Sequence, residues 1–264
     1  MAKIFCVANH KGGVGKTTTT INLAAGLAAV GQRVLLIDLD PQGNATMGSG
    51  VDKREIELGI YDVLLGEATV HQASVESRWS DESKASHPIY HLLAANRELA
   101  GAEVELVSMP EREKRLKQAL APVLDAYDFV LIDCPPSLSM LTLNGLCAAN
   151  GVIVPMQCEY FALEGLTDLV NTIKQVHAKL NPDLKIIGLL RVMFDPRITL
   201  QQQVSEQLKS HFGDKVFNAV IPRNVRLAES PSYGMPGVVF DPAAKGAQAY
   251  LDFAKELVGR AKTL

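Results

Sequence analysis

The sequence contains little cysteine, no long apolar run and no excess of positive charge, and each absence excludes a class of protein. Its four cysteines show no C-x-x-C spacing, which favours reduced, buried thiols over a disulfide framework. No apolar run approaches the roughly 18 residues of a membrane-spanning helix, and a strand-like run begins too early to leave room for a signal peptide. The net charge of −3 gives no overall sign of a nucleic-acid partner. These absences predict a cytoplasmic protein without a membrane segment.

Strand-like apolar runs alternate with helical patterns along all 264 residues. Most of the runs are continuously apolar, which is typical of strands buried on both faces of a parallel sheet. The predicted strands are residues 4–8, 33–38, 91–94, 129–134, 152–156, 186–193 and 216–221. The predicted helices are residues 17–30, 113–125, 140–149, 164–180, 200–211 and 245–262. We therefore expect an α/β fold in a single domain, residues 1–264, with a doubly wound, mostly parallel sheet flanked by helices. The polar stretch 76–88 is expected to be a surface loop in which Trp79 is a partly buried anchor.

A glycine-rich segment, H-K-G-G-V-G-K-T-T (10–18), lies between the first predicted strand and the first predicted helix. Glycines leave backbone N–H groups free to cradle a phosphate, and a helix N-terminus favours anions. We expect Lys16 to reach the β- and γ-phosphates and the Thr17 hydroxyl to ligate Mg²⁺. The general pattern G-x-x-x-x-G-K-[ST] is incomplete, because His10 replaces its first glycine and a second lysine, Lys11, begins the loop. The predicted phosphate-binding residues are Lys11, Gly12, Gly13, Val14, Gly15, Lys16, Thr17 and Thr18.

Carboxylates follow two later strands at the ends where α/β sheets bind ligands. The second strand ends I-D-L-D-P-Q-G-N, and its aspartates also suit turn or helix caps beside Pro41. Beside a phosphate loop, we expect Asp40 to orient the attacking water and Asp38 to act behind Mg²⁺. The strand F-V-L-I-D has the form of a Walker B element, in which Asp133 holds Mg²⁺ directly or through water.

Five sequence blocks together resemble the ParA/Soj family of DNA-partitioning ATPases. They are K-G-G-V-G-K-T-T (11–18), I-D-L-D-P-Q-G-N (37–44), L-I-D-C-P-P-S-L (131–138), P-M-Q-C-E-Y-F-A-L-E-G-L (155–166) and V-I-P-R-N-V-R-L-A-E-S-P (220–231). The resemblance, which covers about residues 2–258, implies a P-loop NTPase with a deviant Walker A loop that forms an ATP-sandwich dimer. It implies that Lys11 stabilises charge on the partner's phosphates, as an arginine finger does, and that Pro222 and Asn224 lie near adenine. It also implies the short form of the family, without the N-terminal helix-turn-helix extension of some plasmid relatives.

Basic residues slightly outnumber acidic ones between residues 191 and 245, with seven Lys or Arg against five Asp or Glu. On charge alone, scattered solvated side chains are the favoured interpretation. The resemblance instead implies that Arg197 and Arg226 contact the DNA backbone non-specifically and that dimerisation doubles the basic surface. It further implies association with the nucleoid and a ParB-type partner, whose basic N-terminal segment stimulates hydrolysis.

Two other functions remain open. A MinD-type membrane-cycling ATPase needs a basic, strongly apolar C-terminal amphipathic helix, whereas residues 250–264 include Asp252 and Glu256 and indicate a docked helix. A metabolic enzyme could use the same loop to activate a carboxylate. An iron–sulfur ATPase reductase is disfavoured, because no cysteine pair offers cluster ligands at a shared face.

Overall fold

The computed structural model describes residues 2–77, 79, 87–160 and 162–263. Within these residues the strands form one eight-stranded sheet in the order β3-β4-β2-β5-β1-β6-β7-β8. The strands are β1 (Lys3–Val7), β2 (Val34–Asp38), β3 (Ser74–Glu76), β4 (His91–Leu93), β5 (Phe129–Asp133), β6 (Gly151–Met156), β7 (Lys185–Phe194) and β8 (Val216–Pro222). All neighbouring pairs are parallel except β3 with β4. The sheet grows outward on both sides of β1, which confirms the predicted doubly wound, mostly parallel fold.

Helices connect these strands. They are α1 (Lys16–Ala29), α2 (Asn44–Gly48), α3 (Ile60–Leu65), α4 (Val70–Ala73), α5 (Leu99–Glu105), α6 (Arg115–Leu120), α7 (Met140–Ala148), α8 (Ala162–Lys179), α9 (Thr199–Phe212), α10 (Val225–Glu229), α11 (Gly237–Phe240) and α12 (Lys245–Ala261). The predicted helix 113–125 is wrong in its extent, because α6 ends at Leu120 and a 3₁₀ helix, Ala121–Ala126, follows. Pro122 lies in the first turn of that 3₁₀ helix, and proline cannot donate the backbone hydrogen bond that would continue α6.

The sheet is buried on both faces, as the continuous apolar runs predict. Neighbouring residues of β1 contribute to different cores: Phe5 and Val7 pack with α1 and α12, whereas Ile4 and Cys6 pack with α7 and α8. Full burial of a large apolar side chain stabilises the fold by about 1.5–3 kcal/mol. This packing fixes the strand ends, and therefore the loops that follow them, relative to one another.

The C-terminal helix and Trp79 follow the expectations, whereas Glu76, the first residue of the predicted loop 76–88, ends strand β3. The stripe Tyr250, Phe253 and Leu257 of α12 is buried, so this helix is docked. No helix in the described ranges combines the length and apolarity needed to cross a membrane. Most of the predicted loop 76–88 lies outside the described residues, but Trp79 is partly buried and its Nε1 donates to the Pro88 carbonyl at 3.2 Å.

Candidate nucleotide-binding site

The candidate site lies where β2, β5 and β1 end side by side. In the register of the sheet, Asp38 of β2 lies beside Asp133 of β5, and Asp133 lies beside Val7 of β1. The glycine-rich loop follows β1 directly and leads into α1. Three separately predicted motifs therefore meet at one edge of the sheet.

The loop is held by its backbone conformation and by Asn9. Gly13 and Gly15 have φ of +71° and +75°, a region that favours glycine, and Gly15 is the residue before α1. Asn9 donates through Nδ2 to the Pro155 carbonyl at 2.8 Å and accepts at Oδ1 from the backbone N–H of Lys11 at 3.0 Å. The sequence therefore folds into a preformed turn with backbone N–H groups beside a helix N-terminus, which suits an anion.

Lys16 is buried inside this loop with an exposure of only 8%. Its Nζ donates to the Lys11 carbonyl at 3.0 Å. Burial lowers the pKa of Lys16, and the nearby Asp133 carboxylate opposes that shift. A desolvated ammonium is stabilised by a bound anion, so this cation is placed to receive phosphate oxygens.

Asp133 is fully buried and accepts hydrogen bonds from two threonines of α1. Thr17 Oγ1 donates to Oδ2 at 2.7 Å and Thr20 Oγ1 donates to Oδ1 at 2.8 Å. Burial raises the pKa of Asp133, although both threonine hydrogen bonds favour the carboxylate form. A hydroxyl and a carboxylate at the loop provide the hard oxygen ligands that Mg²⁺ prefers.

Mg²⁺ fits this donor set together with phosphate oxygens. Among the described residues no group of three or more His, Cys, Asp or Glu side chains forms a complete metal site.

Asp38 and Asp40 have different surroundings. Asp38 is fully buried; its Oδ2 accepts from the backbone N–H and the hydroxyl of Thr46, both at 2.8 Å, and its Oδ1 accepts from the Asp40 N–H at 3.1 Å. Burial, followed by the neighbouring Asp133 charge, raises the pKa of Asp38. Asp40 is partly exposed and accepts from the backbone N–H of Gln42 at 2.9 Å. Both residues thus cap local backbone, and the charge of Asp40 also acts on Lys16 of the loop.

The Lys11 side chain is half exposed and forms an ion pair within this chain. Its Nζ lies 2.6 Å from Glu159 Oε2, and the two side chains are 50% and 48% exposed. Gln157 supports the same edge, where its Nε2 donates to the Gly13 carbonyl at 3.3 Å. A side chain in this position is available to a molecule that approaches the loop from outside.

Among the described residues, no hydrogen bond or ion pair joins the remaining predicted site residues to this cluster. Pro222 ends β8, and Asn224 caps α10 by accepting from the Leu227 N–H at 3.2 Å. Arg197 is 87% exposed and pairs with Asp195 at 2.7 Å. Arg226 pairs with Glu229 at 2.9 Å and Asp241 at 3.4 Å.

Sequence reasoning missed four residues of the site. The i, i+3 spacing of Thr17 and Thr20 on a helix is a signal that could have identified Thr20. Asn9, Thr46 and Glu159 carry no such signal, because each also contacts a residue far along the chain, namely Pro155, Ala95 and Lys11 respectively.

Three known proteins resemble this chain over nearly its whole length, and a family model described as an AAA domain matches residues 2–186. The chromosome-partitioning ATPase Soj of Treponema pallidum is 49% identical over 262 residues, covering 98% of this chain and 98% of that protein. The chromosome partitioning protein ParA of Caulobacter vibrioides is 48% identical over 260 residues, covering 98% of this chain and 94% of that protein. A solved structure of cobyrinic acid a,c-diamide synthase from Mycobacterium smegmatis, with bound ADP and magnesium, has a TM-score of 0.84 and 40% identity. It covers 99% of this chain and 96% of that one.

Proposed function

Because this chain belongs to the ParA/Soj family of chromosome-partitioning ATPases, we propose that it drives DNA partitioning by cycling between a free form and an ATP-sandwich dimer on the nucleoid. The dimer binds DNA non-specifically. A ParB-type partner stimulates ATP hydrolysis, and hydrolysis releases the protein from the DNA into the cytoplasm. The observation that carries this proposal is that the phosphate loop has two lysines, one with a buried side chain and one with an exposed side chain. Lys16 is buried at the phosphate cradle, and Lys11 faces outward.

Each part of the site has a role in this cycle. The cradle consists of Lys11, Gly12, Gly13, Val14, Gly15, Lys16, Thr17 and Thr18. Thr17 and Asp133 would hold Mg²⁺, with Asp38 behind them, and a bound ion would supply positive charge to the β- and γ-phosphates. Asp40 holds the attacking water, since it is the least buried of the three carboxylates and lies next to the loop.

Lys11 completes the site of a second copy. In the dimer its ammonium leaves Glu159 and contacts the partner subunit's phosphates, where it stabilises the charge that develops during hydrolysis. Pro222 and Asn224 contact the adenine. The side-chain oxygen Oδ1 of Asn224 accepts the capping hydrogen bond of α10, so its side-chain NH₂ is the group that donates to the base.

Two alternatives compete with this proposal. A MinD-type membrane ATPase is disfavoured because the apolar residues of α12 pack into the fold. A metabolic synthase is favoured only by the name of the Mycobacterium smegmatis protein, whose identity to this chain is lower than that of the named partitioning proteins.

The test separates nucleotide binding from hydrolysis with one variant. We expect Asp40→Ala to bind ATP and accumulate as dimer, because the groups that hold ATP and Mg²⁺ are intact while the water is no longer oriented. Light scattering after gel filtration with ATP or ADP measures the dimer, and phosphate release measures turnover. Lys16→Ala is the control, which we expect to lose nucleotide binding altogether.

Other outcomes identify the alternatives. An Asp40→Ala variant that stays monomeric, or that hydrolyses ATP normally, contradicts the assigned role. Turnover that requires a small-molecule acid favours the metabolic synthase, and ATP-dependent sedimentation with liposomes favours the membrane ATPase.

A further inference from the structure

The segment that follows β6 contacts the phosphate loop through three alternate residues. The contacts join Pro155 to Asn9, Gln157 to Gly13 and Glu159 to Lys11. Gln157 is the middle residue of the three, and its side chain is half-buried. Of these contacts, only that of Gln157 reaches a backbone group within the glycine-rich turn.

The side-chain amide of Gln157 bridges the phosphate loop and the end of β7. Its Nε2 lies 3.3 Å from the Gly13 carbonyl oxygen and 3.0 Å from the thioether sulfur of Met193. Both partners are acceptors, so the NH₂ end of the amide faces them and each of its two N–H groups has a partner. Met193 therefore holds the orientation in which Gln157 meets the loop.

The backbone of Met193 is strained. Its φ is +51°, and Met193 is one of two non-glycine residues with positive φ in the described ranges. The register of β7 against β8 shifts between Arg191 and Phe194, so Met193 lies in a bulge, a feature that redirects a side chain. The Met193 methyl lies 3.6 Å from the point that a Cβ on Gly15 would occupy. Strain of this kind persists where the surroundings hold it, and here it directs the thioether to the phosphate loop.

The hydrogen bond from Gln157 fixes one peptide group of the loop. In a planar trans peptide the carbonyl and the N–H point in opposite directions, so the Val14 N–H points away from Gln157. Gly13 has no side chain and a φ of +71°, and a glycine allows its peptide to turn over. A peptide that turned over would present its carbonyl oxygen to a bound phosphate, and these two groups repel each other.

We propose that Gln157 is a positioning residue for nucleotide binding, which holds the Gly13 carbonyl outward so that the Val14 N–H faces the β-phosphate. Met193 acts through Gln157, because its sulfur accepts the second N–H of the amide. The inference rests on the proposed function, because it requires that the loop binds a nucleotide. Loops of this kind cradle the β-phosphate, which ATP and ADP share, so Gln157 contributes equally to the binding of both.

The experiment measures the affinity of the full chain for ATP and for ADP, each with Mg²⁺, by isothermal titration calorimetry. Gln157→Met keeps an unbranched side chain of similar length but cannot donate. We expect it to bind both nucleotides about ten-fold more weakly, as the loss of one hydrogen bond to a charged group predicts. Met193→Leu keeps an apolar side chain but removes the sulfur acceptor, and we expect it to weaken both affinities about three-fold.

The double variant Gln157→Met/Met193→Leu distinguishes positioning from a general structural role. Because Met193 acts through Gln157, we expect the double variant to bind no more weakly than Gln157→Met alone. Phosphate release provides a second readout, in which the KM of Gln157→Met for ATP rises about ten-fold and kcat changes far less. The matched controls are Gln175→Met on the exposed face of α8 and Met109→Leu, which is half-buried elsewhere. Both are expected to bind ATP and ADP like wild type.

Three results overturn the inference and leave the proposed function intact. They are wild-type affinities in Gln157→Met, a loss of affinity for ATP but not for ADP, and independent losses that multiply to about thirty-fold in the double variant. Thermal unfolding of the nucleotide-free proteins checks their fold. If Gln157→Met does not fold, Met193→Leu decides, and wild-type affinities in that variant overturn the inference. A wild-type protein that binds neither ATP nor ADP overturns the proposed function and the inference with it.

Discussion

The ion pair between Lys11 and Glu159 lies on the outer edge of the phosphate loop, with both side chains half exposed. Pairs this exposed contribute about 0–1 kcal/mol. In the proposed dimer Lys11 must exchange Glu159 for phosphate, so each protomer gives up one such pair. If the proposed dimer forms, the Glu159 charge therefore opposes its assembly slightly.

We expect Glu159→Gln to tighten ATP-dependent dimerisation by several-fold to about ten-fold, because two pairs no longer have to break. Analytical ultracentrifugation with ATP, in an Asp40→Ala background that suppresses turnover, measures the dimer dissociation constant. Asp183→Asn provides a control for loss of an exposed carboxylate. A weaker dimer in Glu159→Gln would mean that Glu159 contacts the partner instead of restraining Lys11.

Asp38 is a buried carboxyl whose pKa is raised by burial and by the Asp133 charge. A raised pKa means that the folded protein holds this proton more tightly than the unfolded chain does. Stability from Asp38 is therefore present below the ordinary aspartate pKa of about 4 and is lost as pH rises through the raised value. Asp38→Asn cannot titrate at this position, and its amide oxygen can still accept from Thr46.

As pH rises from about 5 to about 8, we thus expect the unfolding free energy of wild type to fall relative to that of Asp38→Asn. Urea denaturation of the nucleotide-free proteins across this range measures it. A difference that is constant with pH would show that Asp38 is already ionised throughout, with an unshifted pKa.

The length of a helix or strand largely decides whether it can be predicted from the sequence. The strands along apolar runs and the helices α1, α7, α8, α9 and α12 all span enough residues to show a period. Helices of four to six residues, such as α2, α4 and α11, are too short for a 3.6-residue pattern, so the sequence does not reveal them. The three-residue strand β3 reads S-V-E and lacks an apolar run, because it pairs on one side only.

Two glycines of the phosphate loop allow a matched comparison within one element. A Cβ at Gly12 or Gly13 would contact nothing within 4 Å, but Gly13 has φ +71° and Gly12 does not have positive φ. We expect Gly12→Val to keep ATP binding and lose dimerisation, since the added side chain would occupy the face of the loop that the proposed partner approaches. Gly13→Val should weaken ATP binding itself, because a β-branched residue resists this conformation.

Calorimetric titration with ATP, followed by light scattering, separates the two glycine variants. If Gly12→Val still dimerised with ATP, the outer edge of the loop would not be an interface. If Gly13→Val bound ATP like wild type, the cradle would not depend on its backbone conformation.

The part of the candidate site that could be predicted from the sequence consists of residues at or just after the carboxyl ends of predicted strands. The sequence located Asp38 and Asp133 at strand ends and Lys16 in the loop-to-helix segment that follows the first strand, and the α/β rule that ligands bind at the carboxyl ends of strands predicts that they meet. It could not give the strand order that makes β2, β5 and β1 neighbours. The Lys11–Glu159 pair joins residues 148 positions apart, so packing alone determines it.

The two arginines predicted to contact DNA are both engaged with carboxylates in this chain. Arg197 pairs with Asp195, and Arg226 pairs with Glu229 and Asp241. If the dimer binds DNA through these residues as proposed, phosphates must therefore replace these carboxylates. In a protein of net charge −3, the affinity then depends on the neighbouring acids as much as on the arginines.

This exchange predicts opposite effects for two neighbouring substitutions. Arg197→Ala should weaken binding to all DNA sequences alike and lower the log–log salt slope by about two per dimer, since each lost phosphate contact contributes about 0.9. Asp195→Asn should strengthen binding, because it frees Arg197 while its amide oxygen still supports the turn. Arg54 pairs with Asp52 in the same i, i+2 arrangement and is 82% exposed, so Arg54→Ala is the matched control. Fluorescence anisotropy of labelled DNA duplexes of unrelated sequence, measured with ATP and with ADP, gives the DNA affinity of each variant. If Arg54→Ala and Arg197→Ala weakened binding equally, the effect would come from net charge and not from a surface that dimerisation assembles.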